Sequence, residues 1–255
     1  MPLLTFDIGN TSITSGIFNK NKLIKLWRMP SDTGSNINKY IKDIKKNLGN
    51  IDPADISGIA ISSVVPKLDE IFVQISKKLF KKQPLFATSR TCGIKILYNK
   101  PERVGADRLV NAVAGYKLFG GPLVVVDFGT AITFDCINKK GAYLGGLIIP
   151  GISTSAKALN NFTAKLPLVV ISKPENLIGK TTQESIKSGI YFGYLGLVRH
   201  ISEMLKKELK CDTIIITGGQ AGILAKKLKF KLIPDLTLLG LKEIWARNTG
   251  GGQLS

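Results

Sequence analysis

The run Leu3-Leu4-Thr5-Phe6 leads into Asp7-Ile8-Gly9-Asn10-Thr11, and Leu123-Val124-Val125-Val126 leads into Asp127-Phe128-Gly129-Thr130-Ala131. Each is an apolar strand pattern that ends in a carboxylate, a glycine and a hydroxyl, and each continues into a second β-branched stretch. A strand–turn–strand used twice calls for two similar halves. Glycine lets the backbone approach a ligand closely, and backbone N–H groups with a hydroxyl at such a bend can hold phosphate oxygens. A carboxylate beside phosphates is repelled unless a cation lies between them. The pair therefore reads as two parts of a clamp around a nucleoside triphosphate. Either turn alone is as readily a plain hairpin, because Asp, Gly, Asn and Thr are ordinary turn residues. The repetition carries the reading.

A chain of 255 residues suits two halves of ordinary domain size. A 44% hydrophobic fraction suits a packed core. No apolar run reaches the roughly 18 residues expected of a transmembrane helix, so no membrane partner is expected. The start, Met1-Pro2-Leu3-Leu4-Thr5-Phe6-Asp7, lacks the basic region of a signal peptide. Cys92, Cys136 and Cys211 form neither a disulfide framework nor a zinc pattern. A cytoplasmic setting fits both observations.

The formal net charge is +18, which attracts anions in general. The excess is mostly Lys scattered on helix faces (Lys77-Lys78, Lys206-Lys207, Lys226-Lys227). Aromatics are sparse, and no basic stripe interleaved with them makes a stacking platform, so no nucleic-acid partner is expected. The single histidine, His200, lies in a long helical pattern beside Leu197, Val198 and Ile201. That isolation leaves carboxylates as the candidates for a general base.

Along the chain, strands are expected near Leu3–Asp7, Ile13–Phe18 and Leu23–Arg28, then helix, strand, helix and a short strand. Gly105 to Phe119 reads as a helix stopped by Gly120-Gly121-Pro122, a natural boundary between halves. Leu123–Asp127, Ile132–Ile137 and Tyr143–Ile148 repeat the three-strand opening. Alternating helices and strands again follow, among them a long helix from Glu184 to Leu209, a helix near Ala221–Leu228 and a last helix near Leu238–Ala246. The expected fold is α/β, with mixed sheets in two halves, residues 1–120 and 121–248, and a polar tail at 249–255.

Three further runs bear on chemistry. Gly105-Ala106-Asp107-Arg108 opens a helix. Asp107 serves there equally as a helix-start residue favoured by the dipole or as acceptor of a substrate hydroxyl proton, with Arg108 holding an anionic group. The dipole is expected to lower the pKa of Asp107. Phosphoryl transfer tolerates this, because its loose transition state releases the proton late. Gly145-Gly146 to Pro150-Gly151 puts glycine at both ends of an apolar strand. Thr217-Gly218-Gly219-Gln220 follows a strand and precedes a helix, a good place for nucleotide contact. Neither a Walker A loop nor a dinucleotide fingerprint is present.

Taken in order, the two acidic turns, Gly105–Arg108, the Gly145–Gly151 run and Thr217-Gly218-Gly219 resemble the type III pantothenate kinases from about residue 3 to 248. Ser62-Ser63-Val64-Val65-Pro66, Tyr98 before Asn99-Lys100-Pro101-Glu102, and Leu236-Thr237-Leu238-Leu239-Gly240-Leu241 add to the match. The resemblance implies two ribonuclease-H-like halves of the actin, sugar-kinase and Hsp70-like superfamily, with an ATP cleft between them. It implies ATP-dependent phosphorylation of pantothenate, the first step of coenzyme A synthesis. On this sequence, Asp7, Ile8, Gly9, Asn10, Thr11, Ser12, Ile13 and Thr14 would line the ATP phosphates, with Thr130, Gly218 and Gly219 as further ATP contacts. Asp127 would help hold a monovalent cation, potassium or ammonium, and magnesium would accompany ATP. Tyr98, Gly105, Ala106, Asp107, Arg108 and Thr182 would bind pantothenate. Asp107 would act as proton acceptor, and Thr182 would come from the partner subunit of a homodimer. Thr181 stands where the family usually has Asn.

Overall fold

The computed structural model describes residues 2–34 and 36–250; residues 251–255 of the expected polar tail lie outside the described residues. The chain forms two compact units, one of residues 1–114 with 237–255 and one of residues 115–236.

The first unit carries strands β1 (Pro2–Ile8), β2 (Ser12–Asn19), β3 (Lys22–Pro30), β4 (Gly58–Ser63) and β5 (Leu85–Phe86), in the spatial order β3-β2-β1-β4-β5. The first three strands form an antiparallel meander, while β4 runs parallel to β1 and β5 parallel to β4. Helices α1 (Ile37–Leu48) and α2 (Pro66–Phe80) cover one face. Alternation along β1 sends Leu4, Phe6 and Ile8 to that face, where they join Tyr40, Ile44, Leu68 and Phe72 in one buried cluster. Phe6 and Phe72 meet edge to face with ring centroids 4.9 Å apart. Asn36 caps α1 by accepting from the Asn38 N–H, and Pro66 opens α2 in the first turn, where a missing N–H costs nothing.

Helix α3 (Ala106–Phe119) follows, and the division between the units falls inside it. The second unit contains β6 (Leu123–Phe128), β7 (Ala131–Ile137), β8 (Tyr143–Pro150), α4 (Ile152–Asn161), α5 (Thr182–Leu209), β9 (Thr213–Thr217), α6 (Ala225–Leu228) and β10 (Lys231–Leu232). Its spatial order is β10-β9-β6-β7-β8, with an antiparallel β6-β7-β8 meander and β9 parallel to β6. This is the topology of the first sheet over again, and both are open, mixed, five-stranded sheets. Val124, Val126, Phe128, Ile132 and Phe134 pack with Ile152, Ile190, Tyr191 and Val198 into the core of this unit. The helix expected near Ala221–Leu228 is instead a 3-10 turn at Ala221–Ile223 followed by the single turn α6. The left-handed Lys229 caps α6 after this single turn.

The last helix, α7 (Leu236–Asn248), belongs to the first unit from Thr237 onward, whereas the linear division of the sequence keeps it with the C-terminal half. Glycines in the first sheet explain its destination. A Cβ on Gly16 would stand 2.8 Å from Leu238 Cδ1, and one on Gly58 would stand 1.9 Å from Trp245 Cζ2. The helix also lies against α3. A Cβ on Gly240 would be 2.2 Å from the Val110 carbonyl oxygen, and Thr237 Oγ1 donates to Asn111 Oδ1 at 2.8 Å. The Leu236–Leu241 run is thus a contact surface for the helix that begins with Asp107.

Candidate active site

Asp7 is the last residue but one of β1, opposite Thr14 on β2 and Ser62 on β4. Between the paired Ile8 and Ile13 the chain turns through four residues, Gly9 to Ser12. The Gly9 N–H donates to the Ser12 carbonyl at 3.1 Å, and the Ser31 N–H donates to the Thr11 carbonyl at 3.2 Å. Asn10, Thr11 and Ser12 are exposed, and Asp7 and Thr14 are half-buried. Ile8 and Ile13 have buried side chains, so they can offer a ligand only their main chain. Exposed polar groups on a turn pinned at both ends suit an anion with many oxygens.

Asp127 occupies the same place on β6, opposite Thr133 on β7 and Thr217 on β9. This turn is one residue shorter, Gly129 to Ala131 between the paired Phe128 and Ile132. It is also held differently. The Phe128 carbonyl accepts from the Gln220 N–H at 3.0 Å, the Gly129 carbonyl accepts from Gln220 Nε2 at 3.2 Å, and the Thr130 carbonyl accepts from the Gly151 N–H at 2.9 Å and from Thr154 Oγ1 at 2.6 Å. The β9 turn lies directly on it. Gly218 has φ +95°, and a Cβ there would fall 2.3 Å from Asp127 Oδ1. Asp127, Thr130, Gly218 and Gly219 are therefore one cluster within the second unit. Gln220 ends the Thr217–Gln220 run that the sequence marks for nucleotide contact, but its part in tying Phe128, Gly129 and Ser153 together is seen only in the fold. A polar side chain directly after a strand–Gly-Gly turn was the available signal.

Gly105 precedes α3, and its carbonyl accepts from the Leu109 N–H at 3.3 Å. A Cβ on Gly105 would sit 2.6 Å from Asp107 Oδ1, so glycine makes room for this carboxylate to fold back over the helix start. There Asp107 accepts from the Arg108 N–H at 2.8 Å. Arg108 is buried. Burial raises the Asp107 pKa above the ordinary carboxylate range, against the opposing pull of the Arg108 N–H and guanidinium. The sequence-based expectation of a lowered pKa is thus corrected. Loss of water outweighs the helix-terminus groups, and the shift moves the carboxylate toward the range of a usable base.

Tyr98 is 43% exposed and lies ahead of a 3-10 turn at Pro101–Arg103 in the first unit. Thr182 is the exposed first residue of α5 in the second. Thr181 is that helix's N-cap, its Oγ1 accepting from the Glu184 N–H at 3.2 Å, while Glu184 reaches back to the Lys180 N–H at 2.7 Å. This resembles a capping box, with the Glu184 carboxylate taken one residue further back, to the residue before the cap. Asn and Thr both serve as caps, so Thr at this position preserves the turn that presents Thr182.

Among the described residues no cluster of three or more His, Cys, Asp or Glu side chains could form a metal cage. A single carboxylate on the first turn suits magnesium that arrives with phosphates and keeps much of its water. Among the described residues no helix is long and apolar enough to cross a membrane. The three cysteines are buried.

Two open mixed sheets of one topology make a fold that this chain shares with solved sugar kinases. A glucokinase of the ROK family from Streptomyces griseus, solved with glucose and AMPPNP, superposes with a TM-score of 0.55 at 10% identity, over 96% of this chain and 99% of its own. A protein assigned to the Baf family of transcriptional activators from Campylobacter jejuni superposes at 0.63 with 22% identity, over 97% and 100%. At these identities the likeness is one of fold.

Sequence narrows the class. A family model described as type III pantothenate kinase matches residues 3–204. Type III pantothenate kinases from Bacillus cytotoxicus and Endomicrobium trichonymphae are 42% and 40% identical, each over 96% of this chain and over 96% and 98% of their own lengths. The chain belongs to the type III pantothenate kinase family.

Proposed function

We propose that this protein transfers the γ-phosphoryl group of ATP to the terminal hydroxyl of pantothenate, giving 4'-phosphopantothenate and ADP and opening coenzyme A synthesis. Besides family membership, one observation carries the reading. A glycine-accommodated carboxylate, Asp107, has its pKa raised by burial at a helix start beside the buried Arg108.

The Asp107 carboxylate accepts the hydroxyl proton as the oxygen bonds to the γ-phosphorus. The bond from that phosphorus to the β,γ-bridging oxygen breaks, and ADP leaves. Gly105, Ala106, Arg108 and Tyr98 hold the acceptor, with the Arg108 guanidinium donating to the carboxylate of pantothenate. Asp7 and the turn through Thr14 hold the ATP phosphates, and Thr130, Gly218 and Gly219 contact the nucleotide. Magnesium, when bound with ATP, neutralises phosphate charge. Asp127 supplies the carboxylate for a monovalent cation, potassium or ammonium. The net charge of +18 favours polyanionic substrates.

The assembly is a homodimer in which Thr182 completes the acceptor pocket of the neighbouring subunit. Its support is the apolar surface ahead of α5, where Phe162 is 88%, Val170 85% and Ile178 80% exposed. Three buried cysteines, an odd number far apart in sequence, fit a cytoplasmic enzyme.

A coupled ADP-release assay tests the reading. Turnover should require pantothenate and magnesium and rise when potassium replaces sodium. Turnover with a sugar and none with pantothenate would overturn it. Sedimentation should give twice the chain mass; a monomer at assay concentration would remove the shared pocket.

A further inference from the structure

We infer that Gln220 is a positioning residue that sets the second acidic turn for nucleotide binding. The inference rests on the ATP-binding role proposed for that turn. Gln220 joins three segments distant in sequence. Its N–H donates to the Phe128 carbonyl at 3.0 Å and its Nε2 to the Gly129 carbonyl at 3.2 Å, while its Oε1 accepts from both the N–H and Oγ of Ser153 at 3.0 Å. Ser153 lies in the first turn of α4.

The amide can face only one way. A backbone N–H can only donate and a carbonyl can only accept, so Ser153 takes Oε1 and Gly129 takes Nε2. A plain helix cap would need only the Ser153 side of this arrangement. The second side, reaching the acidic turn, sets Gln220 apart. A peptide unit is planar and trans, so its C=O and N–H point in opposite directions. With the Gly129 carbonyl drawn to Gln220, the Thr130 N–H is directed to the other side of the turn. Ordered N–H groups of this kind favour phosphate oxygens. Glutamate could keep the Ser153 contacts but could not donate to Gly129. It would also add a carboxylate beside Asp127, where ATP must bring negative charge.

The test compares the full-length chain with Gln220→Ala and Gln220→Glu. ATP and AMPPNP affinity are measured by calorimetry, KM is measured separately for ATP and pantothenate, and folding is followed by thermal melting. Losing the link should weaken ATP binding by about tenfold, the scale of one or two hydrogen bonds, with the pantothenate KM within about twofold. Gln220→Glu keeps the α4 contacts and the side-chain shape, so it should stay folded and lose ATP affinity at least as strongly as alanine. If the unaltered chain binds ATP and both variants bind it equally well, the inference fails alone. If both variants weaken ATP and pantothenate to the same degree, Gln220 is a structural prop and the inference also fails. If the unaltered chain binds no ATP, the parent reading fails and takes the inference with it.

Discussion

At Asp107 the balance between solvation and charge decides both activity and stability. Burial favours the neutral acid, so the folded chain holds this proton more tightly than the unfolded one. Below the ordinary carboxylate pKa both states are protonated and the site costs nothing. Above the raised value the folded state carries a dehydrated anion, so this site's contribution to stability falls as pH rises through the interval between them. Asp107→Asn should melt at the same temperature as the wild type or higher at neutral pH, with the difference closing in acid. Its turnover should fall by about a hundredfold or more, the range for a lost general base, with ATP affinity little changed. Thermal melts over a pH series, beside steady-state kinetics, check both. The acid limb of kcat/KM in the wild type should lie above the ordinary carboxylate range. The upward pKa shift was not legible in the sequence, because a helix start is a local pattern while burial is assembled by distant residues. The Gly105–Arg108 run stands out in the sequence as a helix start, but the reason for its glycine, space for the Asp107 carboxylate, needed the folded backbone.

At the scale of elements, glycine marks where one segment lies on another. Gly240 has the Val110 carbonyl where a side chain would begin. Gly240→Val should push α7 off α3 and cost about 2 kcal/mol or more, as overpacking of tight contacts does. Urea unfolding should show it, with a lowered kcat because α3 carries Asp107. At Gly218 both backbone and space forbid a side chain. Gly218→Ala should therefore raise the KM for ATP well before that for pantothenate, measured by varying each substrate in turn. By contrast Thr181→Asn should be nearly neutral in melting temperature and Thr181→Ala should cost about 1 kcal/mol, the usual worth of a helix N-cap. The repeated strand–turn–strand was fully legible because period-two alternation and turn residues are local signals. The unequal lengths of the two turns, and the different groups that hold their carbonyls (Ser31 on the first, Gln220, Gly151 and Thr154 on the second), depended on register and on distant residues. The path of α7 was hidden because its apolar face says that it packs, and only Gly16 and Gly58 say where.

For the whole molecule, the two units repeat one topology with different equipment. The first holds the four-residue acidic turn, Asp107 and Tyr98. The second holds the three-residue turn, its glycine-rich neighbour and the helix that presents Thr182. A duplicated scaffold thus carries chemically unlike turns, and the strand pattern alone does not tell them apart. The first unit is also discontinuous, since residues 237 onward join 1–114 to complete it. On a ribosome the five strands of its sheet emerge early, but the helix that covers Gly16 and Gly58 emerges after all of the second unit. That second unit is one continuous stretch and can close while the first still waits. The helix bearing Asp107 therefore gains its supporting partner only after the whole second unit has been made, and the sheet made first is covered by a helix made after all of the other unit.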